Sequence, residues 1–389
     1  MYRFKYILLL SLMCLLANTA FAKVETSGFL SLTGLYIDSH DNYRNLSNGS
    51  LDYGSHSRVG LSFTAQLDSQ WEAIVQLIGM PESTEYEARP QIKLELAVAK
   101  WNVDDHHTLR FGRLRTPFNL VSEYYEVGYL HPWLAAPGAV YELIPVSSYF
   151  GISGMKKFDL GKWSFEVEVI SGTTEYSGQV VASDTTSIGT GMVGGAINIH
   201  RSNFAMKLAY SGQQLDLETN VFIPAGTTIP GDSDSPYSAD ITASTPTDFG
   251  WTNIYAFGLS YVDQDWLFMA EAIQLETKAD QVFALSFSRD FKDYYGWYAT
   301  LGRYLFNKKH LLHLTSSFYE AGREGLTEYQ NELGWNYYSS DSSVFKVSIS
   351  NIYLPSDSTG GFIADSIVSE LDLERSNYTL VGFGLDLIF

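Results

Sequence analysis

Hydrophobic and polar residues alternate with a period of two along many stretches of this chain. The pattern is clearest at the C-terminal end, where Val381, Phe383, Leu385, Leu387 and Phe389 share one parity and the other parity is mostly small or polar. Successive side chains of a β-strand point to opposite faces of the sheet. Each such stretch therefore predicts a strand with one continuous apolar face.

The same period runs through 59–67, 251–261 and 345–350. In the stretch 91–103, four alternate apolar residues are expected to share one face: Ile92, Leu94, Leu96 and Val98. Repetition of this pattern over most of a chain is typical of transmembrane barrels, whose outer face meets lipid while the inner face is polar.

The connections between the predicted strands alternate in length. Seven short turns are expected at 68–70, 104–106, 160–162, 201–203, 263–265, 307–309 and 339–342. Eight long loops are expected at 39–57, 80–90, 115–147, 173–189, 214–250, 278–295, 321–328 and 355–375. Fifteen connections predict about sixteen strands, with both termini at the short-turn end. The fold class that follows is all-β, a single transmembrane antiparallel β-barrel.

Two of the long loops have sequences that need a separate interpretation. The segment 280–291 alternates well, but an extra strand would make the number odd, so we assign it to a loop. Loop 214–250 is rich in acidic residues, Ser, Thr and Gly, which predicts a solvated external loop. Its spaced carboxylates at 231–235 lack the terminal Glu of a calcium-binding loop, and calcium binding there stays open.

The first 22 residues have the organisation of an export signal. A short basic start is followed by an apolar core at 7–17, which is too short to span a bilayer, and by Ala20-Phe21-Ala22. Cleavage after Ala22 would leave residues 23–389 as one barrel domain. The only cysteine is Cys14, so this mature chain would contain no disulfide.

Composition and charge exclude some classes of function. No stretch after residue 22 is long and apolar enough for a transmembrane helix. Loss of Arg3 and Lys5 with the leader would take the formal charge from −19 to −21, which disfavours nucleic acid as a partner. The acidity fits either a solvated surface that keeps the chain soluble in transit or a lumen that attracts cations, and both interpretations stay open.

The stretch 105–150 carries the most informative motif. Arg110-Phe111-Gly112-Arg113 and then Thr116-Pro117-Phe118 lead from the fifth strand into a loop rich in Tyr, Trp and Pro. An external loop in water has little reason to carry so many apolar groups, so we expect this loop to pack against the inner wall of the barrel.

These residues resemble the start of the inward-folded third loop of bacterial porins. Of these porins, the chain is most similar to the sixteen-stranded phosphate-selective superfamily of the O and P type. That resemblance implies an outer-membrane diffusion channel of a Gram-negative bacterium, a homotrimer, with a constriction formed by loop 115–147. The chain departs from the family because it has no comparable arginine rows or lysine clusters. We therefore expect the fold to be shared and the anion selectivity not to be.

Seven charged or titratable residues in and before this loop are the candidates for the pore constriction: Arg110, Arg113, Arg115, Glu123, Glu126, His131 and Glu142. Charges in a narrow, low-dielectric opening determine which ions pass. A second interpretation is that Arg113 and Arg115 pair with Glu123 and Glu126 only to hold the loop in place. The candidates nearly cancel in charge, which predicts weak selectivity, tilted to cations by the acidic vestibules.

The last strand resembles the C-terminal assembly signal of outer-membrane barrels, carried here by Phe383, Leu385, Leu387 and Phe389. That resemblance implies the barrel assembly machinery as a partner, and outer-membrane lipid and lipopolysaccharide as the surroundings of the folded protein.

Catalytic and metal-binding signals in the sequence are weak: it contains no G-x-S-x-G, H-E-x-x-H, phosphate-binding glycine loop or cysteine-based metal site. Asp104-Asp105-His106-His107 could suggest a metal site, but it falls on a predicted turn, where polar residues are expected. The sequence therefore predicts no enzyme activity, no metal and no cofactor. The function predicted is a porin for passive diffusion of small hydrophilic solutes and ions. Two alternatives stay open. One is a substrate-specific channel for anions such as phosphate or for an aromatic solute, and the other is an outer-membrane barrel hydrolase.

Overall fold

A computed structural model describes most of the chain after residue 22. The described residues are 23–38, 49, 51–54, 56–83, 88–141, 147–180, 183–223, 241–277, 282–284, 287–289, 293–321, 326–355 and 376–389. The predicted leader 1–22 and the carboxylates at 231–235 lie outside these residues.

Sixteen long strands make up the fold. In chain order they are β1 (Lys23–Asp38), β2 (Arg58–Gln66), β3 (Trp71–Ser83), β4 (Ala88–Asn102), β5 (His107–Arg115), β6 (Ser148–Leu160), β7 (Trp163–Val180), β8 (Ser183–Arg201), β9 (Phe204–Ile223), β10 (Ile241–Val262), β11 (Trp266–Glu276), β12 (Asp293–Leu305), β13 (His310–Ala321), β14 (Leu326–Ser340), β15 (Ser343–Leu354) and β16 (Ser376–Ile388).

The strands form one closed antiparallel barrel, in which each strand pairs with its neighbours in sequence. The sheet closes because β1 pairs with β2 along its first half and with β16 along its second, from Phe29 opposite Ile388 to Asp38 opposite Thr379. The prediction of an all-β barrel with sixteen strands is therefore confirmed. Leu51–Asp52 adds a short pairing to the end of β1.

The segment 280–291 does not join the barrel. Val282–Ala284 pairs only with Phe287–Arg289, as a separate two-stranded sheet between β11 and β12. Its alternating sequence thus forms a strand pair of its own. The assignment of this segment to a connection is confirmed.

All seven predicted short turns connect consecutive strands, but three of the predicted long loops are shorter than expected. Strand pairing continues to Ser83 and Ala88, to Val180 and Ser183, and to Ile223 and Ile241, so the hairpins extend well into 80–90, 173–189 and 214–250. The polar composition of these segments marks exposure to water but does not prevent backbone pairing.

In the described part of the chain, helical structure occurs only in the connection between β5 and β6. It consists of the 3-10 turns Ser122–Tyr124 and Gly128–Leu130 and the short helix α1, Gly138–Tyr141. Among the described residues, no helix has the length and apolar character needed to cross a bilayer.

The outer face of the barrel carries a hydrophobic band between two rings of aromatic side chains. Near the short turns, Trp71 stacks on Trp101 with ring centroids 5.5 Å apart, and Phe158 stacks on Phe165 at 5.2 Å. At the other end, Phe318 lies 5.0 Å from Tyr329. Exposed aliphatic residues fill the space between the rings, among them Leu312, Leu314, Leu333, Val347 and Ile349. This outer surface is suited to lipid.

The expected common face of Ile92, Leu94, Leu96 and Val98 is wrong. A β-bulge in β4 places Gln76 opposite Leu96 and Leu77 opposite Leu94, so Glu95 is the extra residue. The bulge reverses the parity: Ile92 is 81% exposed, while Val98 is buried inside. A period-two pattern does not reveal an inserted residue when apolar side chains stand on both sides of it.

The seam between β1 and β16 places two glycines under phenylalanine rings. The backbones of Gly28 and Phe389 exchange hydrogen bonds of 2.7 and 2.9 Å. A Cβ atom on Gly34 would lie 2.5 Å from Cζ of Phe383, and one on Gly28 would lie 2.5 Å from Cε2 of Phe389. The rings of Phe383 and Phe389 on the last strand thus pack directly against the backbone of Gly34 and Gly28.

We expect Gly34→Ala to destabilise the barrel by about 1–3 kcal/mol, the usual cost of overpacking, because the new methyl group displaces the Phe383 ring. The measurement is unfolding of the purified barrel in urea, with its heat-dependent shift on an electrophoresis gel as a second readout. Gly154→Ala is the matched control, because a Cβ there would sit at an ordinary 3.5 Å from Leu109 Cδ2. Equal stability of the two variants would contradict the packing argument.

Candidate functional site

The connection between β5 and β6 lies inside the barrel, as its apolar sequence predicts. Trp133 and Val140 are completely buried and belong to a hydrophobic core shared with residues of the inner wall. The loop residues of this core include Phe118, Val121, Trp133, Ala139 and Val140, and the wall residues include Ile170, Met192, Ile254, Ile273 and Tyr298. Burial of these apolar side chains is what draws the loop into the lumen.

Glu271 on β11 holds the beginning and the end of the loop together. Its Oε2 accepts the N–H of Leu120 at 2.7 Å, and its Oε1 accepts the hydroxyl groups of Tyr141 and, at 2.6 Å, Tyr298. A buried carboxylate needs several donors of this kind. Lys207 Nζ donates to Asn119 O at 2.9 Å, which fixes the beginning of the loop to β9.

The middle of the loop is fixed to the opposite wall. Lys346 Nζ donates to the carbonyl oxygens of Gly128, His131 and Trp133 at 2.6, 2.9 and 2.9 Å and forms an ion pair with Asp386 Oδ2 at 2.9 Å. The loop residues 116–141 therefore cross the lumen, with both ends held at Glu271 and the middle held at Lys346.

Three further hydrogen bonds support this contact. Asn336 Nδ2 donates to Pro132 O at 2.8 Å. Trp133 Nε1 reaches the hydroxyl groups of Thr300 and Thr315 at 2.9 and 3.1 Å. The fixed stretch of the loop is thus held by side chains from β12 to β16.

Of the seven predicted constriction residues, the structure brings Arg110 and Glu123 together. Arg110 Nη1 lies 3.6 Å from Glu123 Oε1, and its Nη2 pairs closely with Glu168 of β7. Glu123 keeps 51% of its side chain in contact with water, while the Glu168 side chain is buried. The pair sits where the loop faces β5 and β7.

Arg115 and Glu126 are buried and pair with residues that were not predicted. Arg115 Nη1 lies 3.4 Å from Glu95 Oε1, and Glu126 pairs closely with Arg58 of β2. The suggested pairing of Arg113 and Arg115 with Glu123 and Glu126 is absent: the acids are paired with Arg110 and Arg58 instead. Both buried pairs hold the loop and its adjoining strands rather than face water.

Arg113 lies on the outer face, outside the predicted constriction. It stands opposite Phe150 in the β5–β6 register, with its guanidinium carbon 5.5 Å from that ring, and Phe150 is an exposed member of the outer surface. The parity of β5 makes this unavoidable, because Arg110 and Arg113 are three residues apart and so point to opposite sides. Glu142 lies outside the described residues.

His131 is buried against Trp133, with ring centroids 5.7 Å apart. Burial lowers the pKa of His131 well below its ordinary value, and the positive charges of Lys346 and Arg58 lower it further. The ring is therefore neutral at pH 7 and adds no charge to the lumen.

The remaining inner-wall charges that touch water form pairs along one side of the lumen. Lys100 Nζ lies 2.9 Å from Glu72 Oε2, and Lys157 Nζ lies 3.1 Å from Glu166 Oε2. Lys93 Nζ also lies 3.6 Å from Glu95 Oε2. Together with the Arg110 cluster and Arg115, the ion pairs from β3 to β7 and the adjoining loop contain five basic and five acidic side chains: Lys93, Lys100, Arg110, Arg115, Lys157, Glu72, Glu95, Glu123, Glu166 and Glu168.

Sequence reasoning missed the residues that hold the loop, above all Glu271, Lys346 and Asp386. One signal was present: each of the three occupies a buried, inward position of a strand whose other parity is mostly apolar. A charge at such a position must find a partner inside the barrel. No group of three or more His, Cys, Asp or Glu side chains in the described part of the chain is arranged to hold a metal ion.

Solved outer-membrane barrels share this fold. An anion-selective porin from Comamonas acidovorans matches with a TM-score of 0.57 and 13% identity, over 95% of this chain and all of that one. The outer membrane channel DcaP of Acinetobacter baumannii matches with a TM-score of 0.57, 10% identity and coverage of 95% and 98%. Salmonella typhi OmpF in complex with daunomycin matches with a TM-score of 0.56, 12% identity and coverage of 96% and 99%.

No protein-family model matches the chain, and no curated protein sequence matches it either. At these identities the structural likeness establishes the fold. The lipid-suited outer face and the closed barrel place the protein in the outer membrane of a Gram-negative bacterium.

Proposed function

We propose that the chain is a porin through which small hydrophilic solutes and ions diffuse passively, with loop 115–147 as its constriction. The observation that carries the proposal is the position of the described part of this loop, which crosses the lumen of a closed barrel and presents Glu123 to water opposite Arg110. Such a loop narrows a channel without a dedicated substrate pocket.

The proposed passage runs along β3 to β7, because the inner-wall charges on that side keep contact with water. The hydrophobic core shared by the loop and the wall extends from Val98 of β4 to Tyr319 of β13, and from β11 to β15 the wall also holds the loop through hydrogen bonds. The passage is therefore lined by paired charges instead of the arginine rows of the phosphate-selective porins. The resemblance to that superfamily stays a prediction, and a phosphate-type or aromatic-solute channel is the second candidate function.

We infer that the protein is a channel and has no enzyme activity. The closest ionic contacts inside the barrel join strands to each other or to the loop, and the buried carboxylate of Glu271 is occupied by two tyrosine hydroxyls and a backbone N–H. A catalytic acid or base needs a free side to meet its substrate.

A liposome-swelling assay with neutral sugars of increasing size tests this function. We expect swelling rates that fall steadily with solute size, because a constriction without a binding site sieves by diameter. Liposomes without protein provide the baseline. Rates that saturate for one sugar would favour a substrate-specific channel, and hydrolytic activity without swelling would favour the barrel hydrolase.

The ion selectivity proposed is weak and tilted to cations. The ion pairs along the proposed passage contain equal numbers of basic and acidic side chains, so their charges cancel. The vestibules of a chain with a formal charge of −19 add a negative potential that salt screens within about 8–10 Å. The cation preference should therefore decrease as the salt concentration rises.

Replacing Glu123 with Gln should move the preference towards anions, because it removes the water-exposed partner of Arg110. The measurement is the reversal potential of single channels in a KCl gradient. Glu126→Gln is the matched control: that carboxylate is buried against Arg58, so its loss should change stability more than selectivity. Equal shifts in both variants would show that Glu126 also faces the passage.

The mature protein is proposed to be a homotrimer of residues 23–389, assembled by the barrel assembly machinery into lipid that contains lipopolysaccharide. Arg113 supports a protein contact, because a guanidinium among lipid-facing residues is unfavourable, by up to about 2–4 kcal/mol at the bilayer midplane. Cross-linking in native membranes should give trimers whose subunit mass corresponds to a start at Lys23. Monomers alone would contradict the trimer. A subunit mass that includes the leader would contradict cleavage after Ala22.

A further inference from the structure

We propose that Lys346 is the positioning residue of the luminal loop and that it determines the width of the passage. The proposal rests on the porin function above but concerns a residue that lies away from the passage. Lys346 is 1% exposed, so ions in the passage do not meet its charge. Any effect of Lys346 on the passage must therefore come through the position of the loop residues to which it is hydrogen-bonded.

The geometry around Lys346 is that of a cation that gathers loop carbonyls. Its ammonium group has three hydrogens and is surrounded by four oxygen atoms within 2.6–2.9 Å. Three of them are backbone carbonyls of the stretch 128–133, which lies more than two hundred residues away in sequence. These carbonyl dipoles converge on one point and would repel each other without the cation. The bent path of the loop therefore depends on Lys346.

Close packing makes the position of the loop sensitive to this contact. Gly128 lies directly on the wall: a Cβ atom there would overlap the Asp386 carboxylate and come within 2.8 Å of Ser31 Oγ. Without the ammonium group, three carbonyls and the Asp386 carboxylate would stay buried without their shared donor. Buried unpaired groups are strongly unfavourable, so the stretch 128–131 should leave the wall to be hydrated. Asn336 and Thr300 would still hold Pro132 and Trp133, and the Gly128 carbonyl would keep only the His131 N–H as its donor.

The consequence is a loop with more than one position. Glu271 still holds the two ends at Leu120 and Tyr141, so the loop stays in the lumen while its middle is released. A released middle is free to move towards β3 to β7, where the passage is proposed to run. The single width of the passage would then be replaced by several.

The test compares single-channel recordings of Lys346→Met with the unchanged protein. We expect one conductance level in the unchanged protein and a spread of levels in the variant, together with a shifted size limit in the sugar-swelling assay. Lys100→Met is the matched control, because it removes a luminal lysine that pairs with Glu72 of the wall and not with the loop. It should alter selectivity and leave one conductance level.

A second variant covers the case in which Lys346→Met fails to assemble. Gly128→Ala leaves Lys346 in place but pushes the loop away from Asp386, and it should produce the same spread of levels. A reversible version uses the absence of cysteines other than Cys14. In Lys346→Met, an added Gly128→Cys and Asp386→Cys pair should restore one level when oxidised and lose it under reducing agent.

The possible results distinguish failure of the positioning role of Lys346 from failure of the proposed porin function. If the unchanged protein shows no conductance, the porin proposal fails. If it conducts and both Lys346→Met and Gly128→Ala keep its single level and size limit, the positioning role is overturned. A spread of levels in Lys100→Met equal to that in Lys346→Met would also overturn it, because the effect would then follow the lost charge.

Discussion

Closure of the sheet is the constraint on which the rest of this structure depends. In lipid, each backbone N–H and C=O group must find its partner within the protein, and a sheet achieves this only when its first and last strands pair. Here β1 meets both β2 and β16, and the backbones of Gly28 and Phe389 bond to each other at the end of the seam. Closure separates the interior from lipid, so polar residues on the inner parity of each strand meet only water or protein.

A closed interior can hold a buried loop only if the charges that come with it are neutralised. Burying a charge is costly unless it is paired and hydrogen-bonded. Glu126 pairs with Arg58, Arg115 with Glu95, and Lys346 with Asp386. These pairs hold the loop in place, and they offer little charge to a passing ion because both partners are already satisfied. Counting charges along the sequence therefore overstates the charge of the constriction.

Period-two alternation predicts a strand and its faces, and the short turns predict the order of the strands, because both depend on neighbours in sequence. The inward position of the loop was also predictable, since so many Tyr, Trp and Pro residues have no use in water. Neither the alternation nor the loop composition predicts which residue a given side chain will pair with. Lys346 is predictable as an inward residue, but its contacts with 128–133 depend on how far the loop crosses the lumen. The bulge at Glu95 was missed because it depends on the local register of paired strands. The outward position of Arg113 follows from strand parity once Arg110 is placed inside, so the sequence did contain that signal.

The two anchors differ in sign and location, and this separates two properties of the channel. Glu271 on β11 accepts donors from both ends of the loop, while Lys346 on β15 donates to carbonyls of its middle. Neither side chain has charge to spare for an ion in the proposed passage. The cluster of Arg110 with Glu123 and Glu168 does carry net charge, because it contains two carboxylates and one guanidinium, and Glu123 stays in contact with water. In the proposed porin, the residues that would fix the width of the passage are thus buried on one side of the lumen, and the residues that would influence selectivity are hydrated on the other. In a barrel built this way, either property can change through substitution while the other is kept.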